Sequence, residues 1–145
     1  MHNGFAAVSD PYQLHRFLEA QDPVYDRVCA ELRAGHKRTH WMWYVFPQLR
    51  GLGRSQMAEH FGIGSKEEAA AYLAHPVLGA RLRECTQLVN EVQGRSATQI
   101  FGSPDDLKFR SSMTLFSMVS DDPVFAAALE KYFGGEPDPL TQATK

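Results

Sequence analysis

Apolar residues recur along most of this chain at the three- and four-residue spacing of helices that bury one face. Val24, Val28 and Leu32 stand at i, i+4 and i+8, and Leu78, Leu82, Cys85, Leu88, Val89 and Val92 keep one phase over a longer run. Tyr12, Leu14, Phe17 and Leu18 form a shorter set near the start. Helix-start signals punctuate these runs. Asp10-Pro11, Asp22-Pro23 and Asp122-Pro123 each place a capping carboxylate before a proline, whose missing N–H costs nothing in a first turn. Ser103-Pro104-Asp105-Asp106 adds acids at the positive end of the helix dipole. Ser65 with Glu68 reads as a capping box. Helices are predicted over 11–21, 23–34, 55–61, 66–74, 76–92, 104–119 and 123–133, with a single turn at 97–101. Gly35 ends the second of these, Gly62 and Gly64 stop the third, and Gly134-Gly135 ends the last as a left-handed cap would.

One segment is ambiguous by pattern. Thr39 to Leu49, THWMWYVFPQL, is apolar and aromatic almost throughout and reads as a buried strand or a buried helix. Helix is favoured, because a lone strand has no sheet to join, and Pro47 ends the segment either way. The expectation is an all-α fold: one compact domain over 1–145 with about seven helices, a core over about 10–135, and peripheral tails at 1–9 and 136–145.

Composition narrows the function classes. An apolar fraction of 43% against 22% charged residues fits a globular chain that forms its own core. A net charge of −2 gives no strong nucleic-acid signature, since phosphate binders need a basic excess. No apolar run approaches the ~20 residues of a membrane span. Met1 to Ser9 lacks the basic-then-apolar order of a leader, so a cytoplasmic protein is expected. Cys29 and Cys85 lie in helical segments without CxxC spacing and read as reduced core thiols. His36 and His40 have metal-like spacing but lack a third ligand nearby, so no metal is expected. Neither a P-loop nor a dinucleotide fingerprint is present, so no cofactor is expected.

Two stretches carry candidate chemistry. Trp41, Trp43, Tyr44 and Phe46 could stack on a base or sugar, or could simply fill the core. Gln48, Arg50, Arg54 and Ser55 follow at once and could complete a pocket wall, with Gly51-Leu52-Gly53 turning the chain. The second stretch, Ser103 to Phe116, is unusually polar for a helix between apolar ones. It reads either as a solvated face with weak i, i+3 and i, i+4 pairs, or as a site. In the latter, Asp105 is an acid or base while Lys108 and Ser112 hold an anion beside a helix start.

Several motifs together carry a family resemblance. They are His40-Trp41-Met42-Trp43, Phe46-Pro47-Gln48-Leu49, Gly51-Leu52-Gly53 with Ser55, Ala71 through Leu82, and Ile100-Phe101-Gly102. Asp105-Asp106-Leu107-Lys108, Ser111 through Phe116, Asp138 and Thr141 complete them. Over roughly Asp10 to Thr141 the chain resembles the bacterial family called domain of unknown function 1810, whose members are sometimes labelled calpastatin. That resemblance implies a compact all-helical fold and no established activity. A more distant likeness is to the YbiA-like, or NADAR, superfamily, helical proteins that hydrolyse N-glycosidic bonds to ribose phosphates or ADP-ribose. The matching positions are Asp105, Lys108, Met113, Phe116, Pro123, Leu129 and Asp138. Glu59 and Lys66 have the spacing of that superfamily's Glu–Lys pair, but Gly62 and Gly64 between them argue against a shared helix.

The likeness implies an N-glycosidase-type hydrolase of a nucleotide or ADP-ribosyl substrate. Asp105 would be its acid or base, and Lys108, Arg54 or Arg81 would hold phosphates. Trp43, with Trp41, would stack on the base, and Gln48, Ser55 and Ser112 would orient the substrate. The alternative is a non-catalytic helical module that binds a peptide or small ligand, with the tryptophans as anchors. An enzyme requires Asp105, Lys108, Trp43 and Gln48 on one concave surface, whereas a binder can scatter them.

Overall fold

Local caps decide where most helices begin. Asp122 Oδ1 accepts from Val124 N at 3.0 Å with Pro123 in the first turn, and Ser65 Oγ accepts from Glu68 N at 3.1 Å. Ser96 and Gln99 cap each other reciprocally at 3.1 and 2.8 Å. Gly134 ends its helix at φ 63°, where a side chain would be strained. The computed structural model describes residues 9–144. The stretch Met1 to Val8, read above for a leader, lies outside them.

The described residues form ten helices. They are α1 (His15–Gln21), α2 (Tyr25–Arg33), α3 (Met42–Val45), α4 (Gln56–His60), α5 (Lys66–Ala74), α6 (Leu78–Glu91), α7 (Ala97–Phe101), α8 (Asp105–Val119), α9 (Pro123–Phe133) and α10 (Pro139–Gln142). The all-α expectation holds, but about seven helices becomes ten, because short one-turn helices form wherever packing holds them. The ambiguous aromatic segment is helical only over α3, and its end makes one isolated parallel bridge, Leu49 to Ile63. Glu59 and Lys66 fall on α4 and α5, separate helices. The C-terminal tail does not merely follow the surface, since α10 sinks Thr141 completely. Two of the starts marked by Asp-Pro shift. Asp10 caps a turn that becomes helical only at His15, and Asp22 gives its carboxylate to Arg81, leaving α2 without a side-chain cap. No helix among the described residues is long and apolar enough to cross a membrane.

The centre is α8. Phe109 and all of Ser111 to Phe116 are buried, so this helix is covered on nearly every side by α5, α7, α9 and α10. Phe109 stacks on Phe101 at 4.7 Å and meets Phe46 edge-on at 5.0 Å. Trp41 and Met42 complete that aromatic layer, each about 1% exposed. The loop that delivers them is tied down by Glu31 on α2. Its carboxylate accepts from Arg38 N (2.7 Å), Thr39 N (3.1 Å), Thr39 Oγ1 (2.7 Å) and Trp41 Nε1 (2.9 Å). Those bonds satisfy backbone that no helix satisfies, which is why the apolar run can stay irregular and buried.

Candidate functional site

The surface is hollowed beside the first half of α8. Pro104, Leu107, Lys108 and Ser111 form one wall, and Gln48, Leu52 and Gly53 a second. Asp138 and Leu140, at the start of α10, close a cleft of about 400 Å³. Gln48 and Lys108 also line a cavity of about 10 Å³, room for one water, whose lining includes Trp43, Phe46 and Phe61. Leu107 is 56% and Leu140 70% exposed, the two most exposed large apolar side chains among the described residues, and both belong to the cleft. Water-facing apolar lips around a few polar groups are the usual make-up of a ligand site.

Each wall has a local cause. The bridge at Leu49 holds the second wall, with Ile63 N donating to Gln48 O (2.9 Å) and Arg50 N to Ile63 O (2.8 Å). Gly53 then packs so closely on α4 that a Cβ would lie 2.6 Å from the Ala58 Cβ. Gly53→Ala is therefore expected to cost about 1–3 kcal/mol in denaturant unfolding, the range for overpacking. Asp138 is held from α8. Thr114 Oγ1 accepts from Asp138 N at 2.9 Å, and Arg110 donates to the Glu136 and Pro137 carbonyls at 2.9 and 3.0 Å. Asp138 Oδ2 in turn caps α10 by accepting from Thr141 N at 3.0 Å.

The charges behind the cleft form a bridge. Asp105 Oδ2 lies 2.9 Å from Lys37 Nζ, and its Oδ1 lies 3.4 Å from Lys108 Nζ. Each ammonium also sits over an indole ring, Lys37 over Trp41 at 5.3 Å and Lys108 over Trp43 at 5.4 Å. Lys37, with only 8% of its side chain exposed, was missed in the sequence reading. Its contact with Asp105 spans nearly half of the chain, and no local spacing announces it. Asp105 thus serves two cations, while Lys108 keeps a face towards the cleft.

The predicted residues distribute as follows. Lys108 and Gln48 line both hollows, and Trp43 lines the smaller one, its indole N–H buried without a partner. Asp105 sits one shell back as the ion-pair partner of Lys108. Trp41 is in the core, donating to Glu31. Ser112 is fully buried with no partner for its hydroxyl. Ser55 caps α4 through Ala58 N at 3.0 Å, and Arg54 is exposed outside the cleft lining. Arg81 belongs to a different face, bound to Asp22 at 2.8 Å and lying over Tyr25. The acidic residue in the cleft lining is Asp138, which no local spacing marks as a site residue.

A larger hollow of about 520 Å³ lies elsewhere, lined by Tyr12, Gln13, Arg16, Arg50, Glu59 and Glu68 among others. Its central cation is already spent. Arg16 donates to the Tyr12, Gln13, His60 and Gly62 carbonyls and pairs with Glu68 at 2.7 Å. That network ties α1 to the 60–64 turn and reads as scaffold. No three His, Cys, Asp or Glu side chains among the described residues converge as a metal would need.

Fold and site together define an all-helical protein with one apolar-lipped cleft that holds a lysine, an amide and a carboxylate. The chain belongs to the DUF1810 family, described as "Protein of unknown function", whose model matches residues 11–144. It is 61% identical to the conserved hypothetical protein Rv1873 from Mycobacterium tuberculosis. The match to that crystal structure covers 92% of this chain and 96% of the other, with a TM-score of 0.91. No curated protein matches the chain.

Proposed function

We propose that the chain is an N-glycosidase-type hydrolase of a nucleotide or ADP-ribosyl substrate, bound in the cleft between α8, the 48–53 turn and α10. The observation that carries this reading is the meeting of Lys108, Gln48 and Asp138 between the exposed lips Leu107 and Leu140. A phosphate or pyrophosphate fits the free face of Lys108, and an aromatic base fits the apolar lips. Glycosidic cleavage builds positive charge on the sugar, and a carboxylate next to it stabilises that charge or activates water. We assign this role to Asp138, a choice supported by its being the one acidic residue of the described cleft lining. Asp105 acts through Lys108 as its positioning partner. The reaction class rests on the more distant NADAR likeness of the sequence, and the lining of the cleft supports the choice of residues.

A second reading has its own support. The exposure of Leu107 and Leu140 equally suits a module that captures a small apolar anion without cleaving it.

Thermal unfolding with NAD, ADP-ribose and mononucleotides tests the site. A ligand at a hundred times its dissociation constant adds about 2.7 kcal/mol, a rise of roughly 5–15 °C for a domain of this size. ADP-ribose is expected to raise the midpoint, and Lys108→Met to abolish the rise. No rise with any of these ligands, or a rise that survives Lys108→Met, overturns the reading.

A further inference from the structure

We propose that the small cavity beside the cleft is a niche for one oxygen, where the Trp43 indole N–H and the Lys108 ammonium together hold a phosphoryl oxygen of the ligand. This deepens the reading above and rests on it for a phosphate-bearing ligand in the cleft. It gives Trp43 a hydrogen-bonding role in place of stacking on a base.

Trp43 Nε1 is buried and has no partner among the described residues. An indole N–H can only donate, and a buried donor left unmet is costly, so it marks a place for an acceptor. The neighbouring indole shows the contrast. Trp41 Nε1 gives its proton to Glu31 at 2.9 Å, as an indole that only fills the core does. Trp43 also lines the cavity of about 10 Å³, which holds one oxygen with its hydrogens and nothing larger. One face of its ring is already covered by the Lys108 ammonium at 5.4 Å.

The lining selects the kind of oxygen. Its polar side chains are Trp43, Lys108 and Gln48, between apolar walls that include Phe46 and Phe61. The first two can only donate, and the Gln48 amide can present its NH₂. Among the described residues no acidic side chain lines this cavity, whereas Asp138 lines the cleft. Asp105 is shared between Lys37 and Lys108, so that cluster keeps one positive charge in surplus. Donors, apolar walls and a surplus cation suit an anionic oxygen, whose hydrogen bonds are the stronger kind. Lys108 and Gln48 line both hollows and so form the boundary between them. A phosphate resting on Lys108 in the cleft therefore has the niche beside it, and one of its oxygens replaces a water there.

Titration of inorganic pyrophosphate, AMP and adenosine into the isotopically labelled full chain tests this through the two indole N–H resonances. Pyrophosphate and AMP are expected to move the Trp43 resonance downfield and leave Trp41 still. Adenosine, which has the base and sugar but no phosphate, should move neither. Trp43→Phe keeps an aromatic ring without the N–H and should weaken AMP binding by about 10–100-fold in calorimetry. Phosphate ligands that bind with the wild-type Trp43 resonance unmoved, adenosine that moves it as far as AMP does, or no binding of any of the three overturns the proposal. A Lys108-dependent thermal rise with ADP-ribose beside a still Trp43 resonance sinks the niche alone. A Trp43 resonance moved by pyrophosphate in a protein that ADP-ribose does not stabilise sinks the nucleotide reading and leaves the niche.

Discussion

Glu31→Ala lowers the stability of the fold by about 3–5 kcal/mol in denaturant unfolding, a large share of the ~5–15 kcal/mol that holds a typical domain together. Glu31 is 8% exposed, and its carboxylate gathers the Arg38 and Thr39 N–H groups, the Thr39 hydroxyl and the Trp41 indole. Alanine leaves those part-buried donors and the buried Trp41 indole without their acceptor, and an unmet buried donor costs more than a met one gains. The same carboxylate makes stability pH-dependent. Burial alone would raise its pKa, but the hydrogen bonds from Thr39, Arg38 and Trp41 outweigh burial and bring it from 4.5 to about 2. The unfolded chain therefore binds this proton at higher pH than the folded one. The contribution is fully present above about pH 5 and is lost as pH falls towards about 2, on the order of 3 kcal/mol. Unfolding free energies across that window should fall for the wild type more than for Glu31→Gln by about that amount. Parallel curves would show that Glu31 is not the group responsible.

Asp138→Asn is expected to remove turnover, by at least about a hundredfold, while the thermal midpoint barely moves. The separation is available because Asp138 has two duties. It lines the cleft, and its Oδ2 caps α10 through Thr141 N. Asparagine caps a helix start nearly as well as aspartate but can neither take a proton nor carry negative charge. Chromatography of the free base released from an ADP-ribosyl or ribose-phosphate N-glycoside reads the activity. Wild-type turnover in this variant would move the chemistry away from Asp138. Removal of Asp105 is a poorer test, since it strips the partner from Lys37, a cation with little access to water.

Local chemistry made much of the fold legible. Asp122-Pro123, Ser65 and Gly134 act as their residue types suggest, because each cap involves only neighbours in sequence. Asp138-Pro139 carries the same signature as Asp122-Pro123, yet α10 was read as a surface tail. A four-residue helix cannot stand by propensity, and what holds it is Thr141 buried on α8, a tertiary contact. Asp22-Pro23 shows the converse, a good local signal overridden when Arg81 from α6 takes the carboxylate. The aromatic run around Trp41 resisted because it is apolar on every face, so periodicity carries no information there.

The site was legible in part for the same reason. Lys108, Gln48 and Trp43 stood out as polar or aromatic residues in unusual company, and they do line adjoining hollows. What spacing could not show was which acidic residue lies in the cleft lining. Asp105 and Lys108 are i, i+3 on a helix, and that spacing is equally consistent with a catalytic pair or an ion pair. The long-range contact of Lys37 makes Asp105 a bridge between two lysines.

The cleft as a nucleotide site is tested most directly by titrating ADP-ribose into isotopically labelled protein and following its amide and indole N–H resonances. The account predicts shifts at Gly53, Leu107, Lys108 and Ser111 and at the unpartnered indole of Trp43, with the Trp41 indole held still by Glu31. Shifts gathered instead around Arg16 and Arg50, or none at saturating ligand, would contradict it.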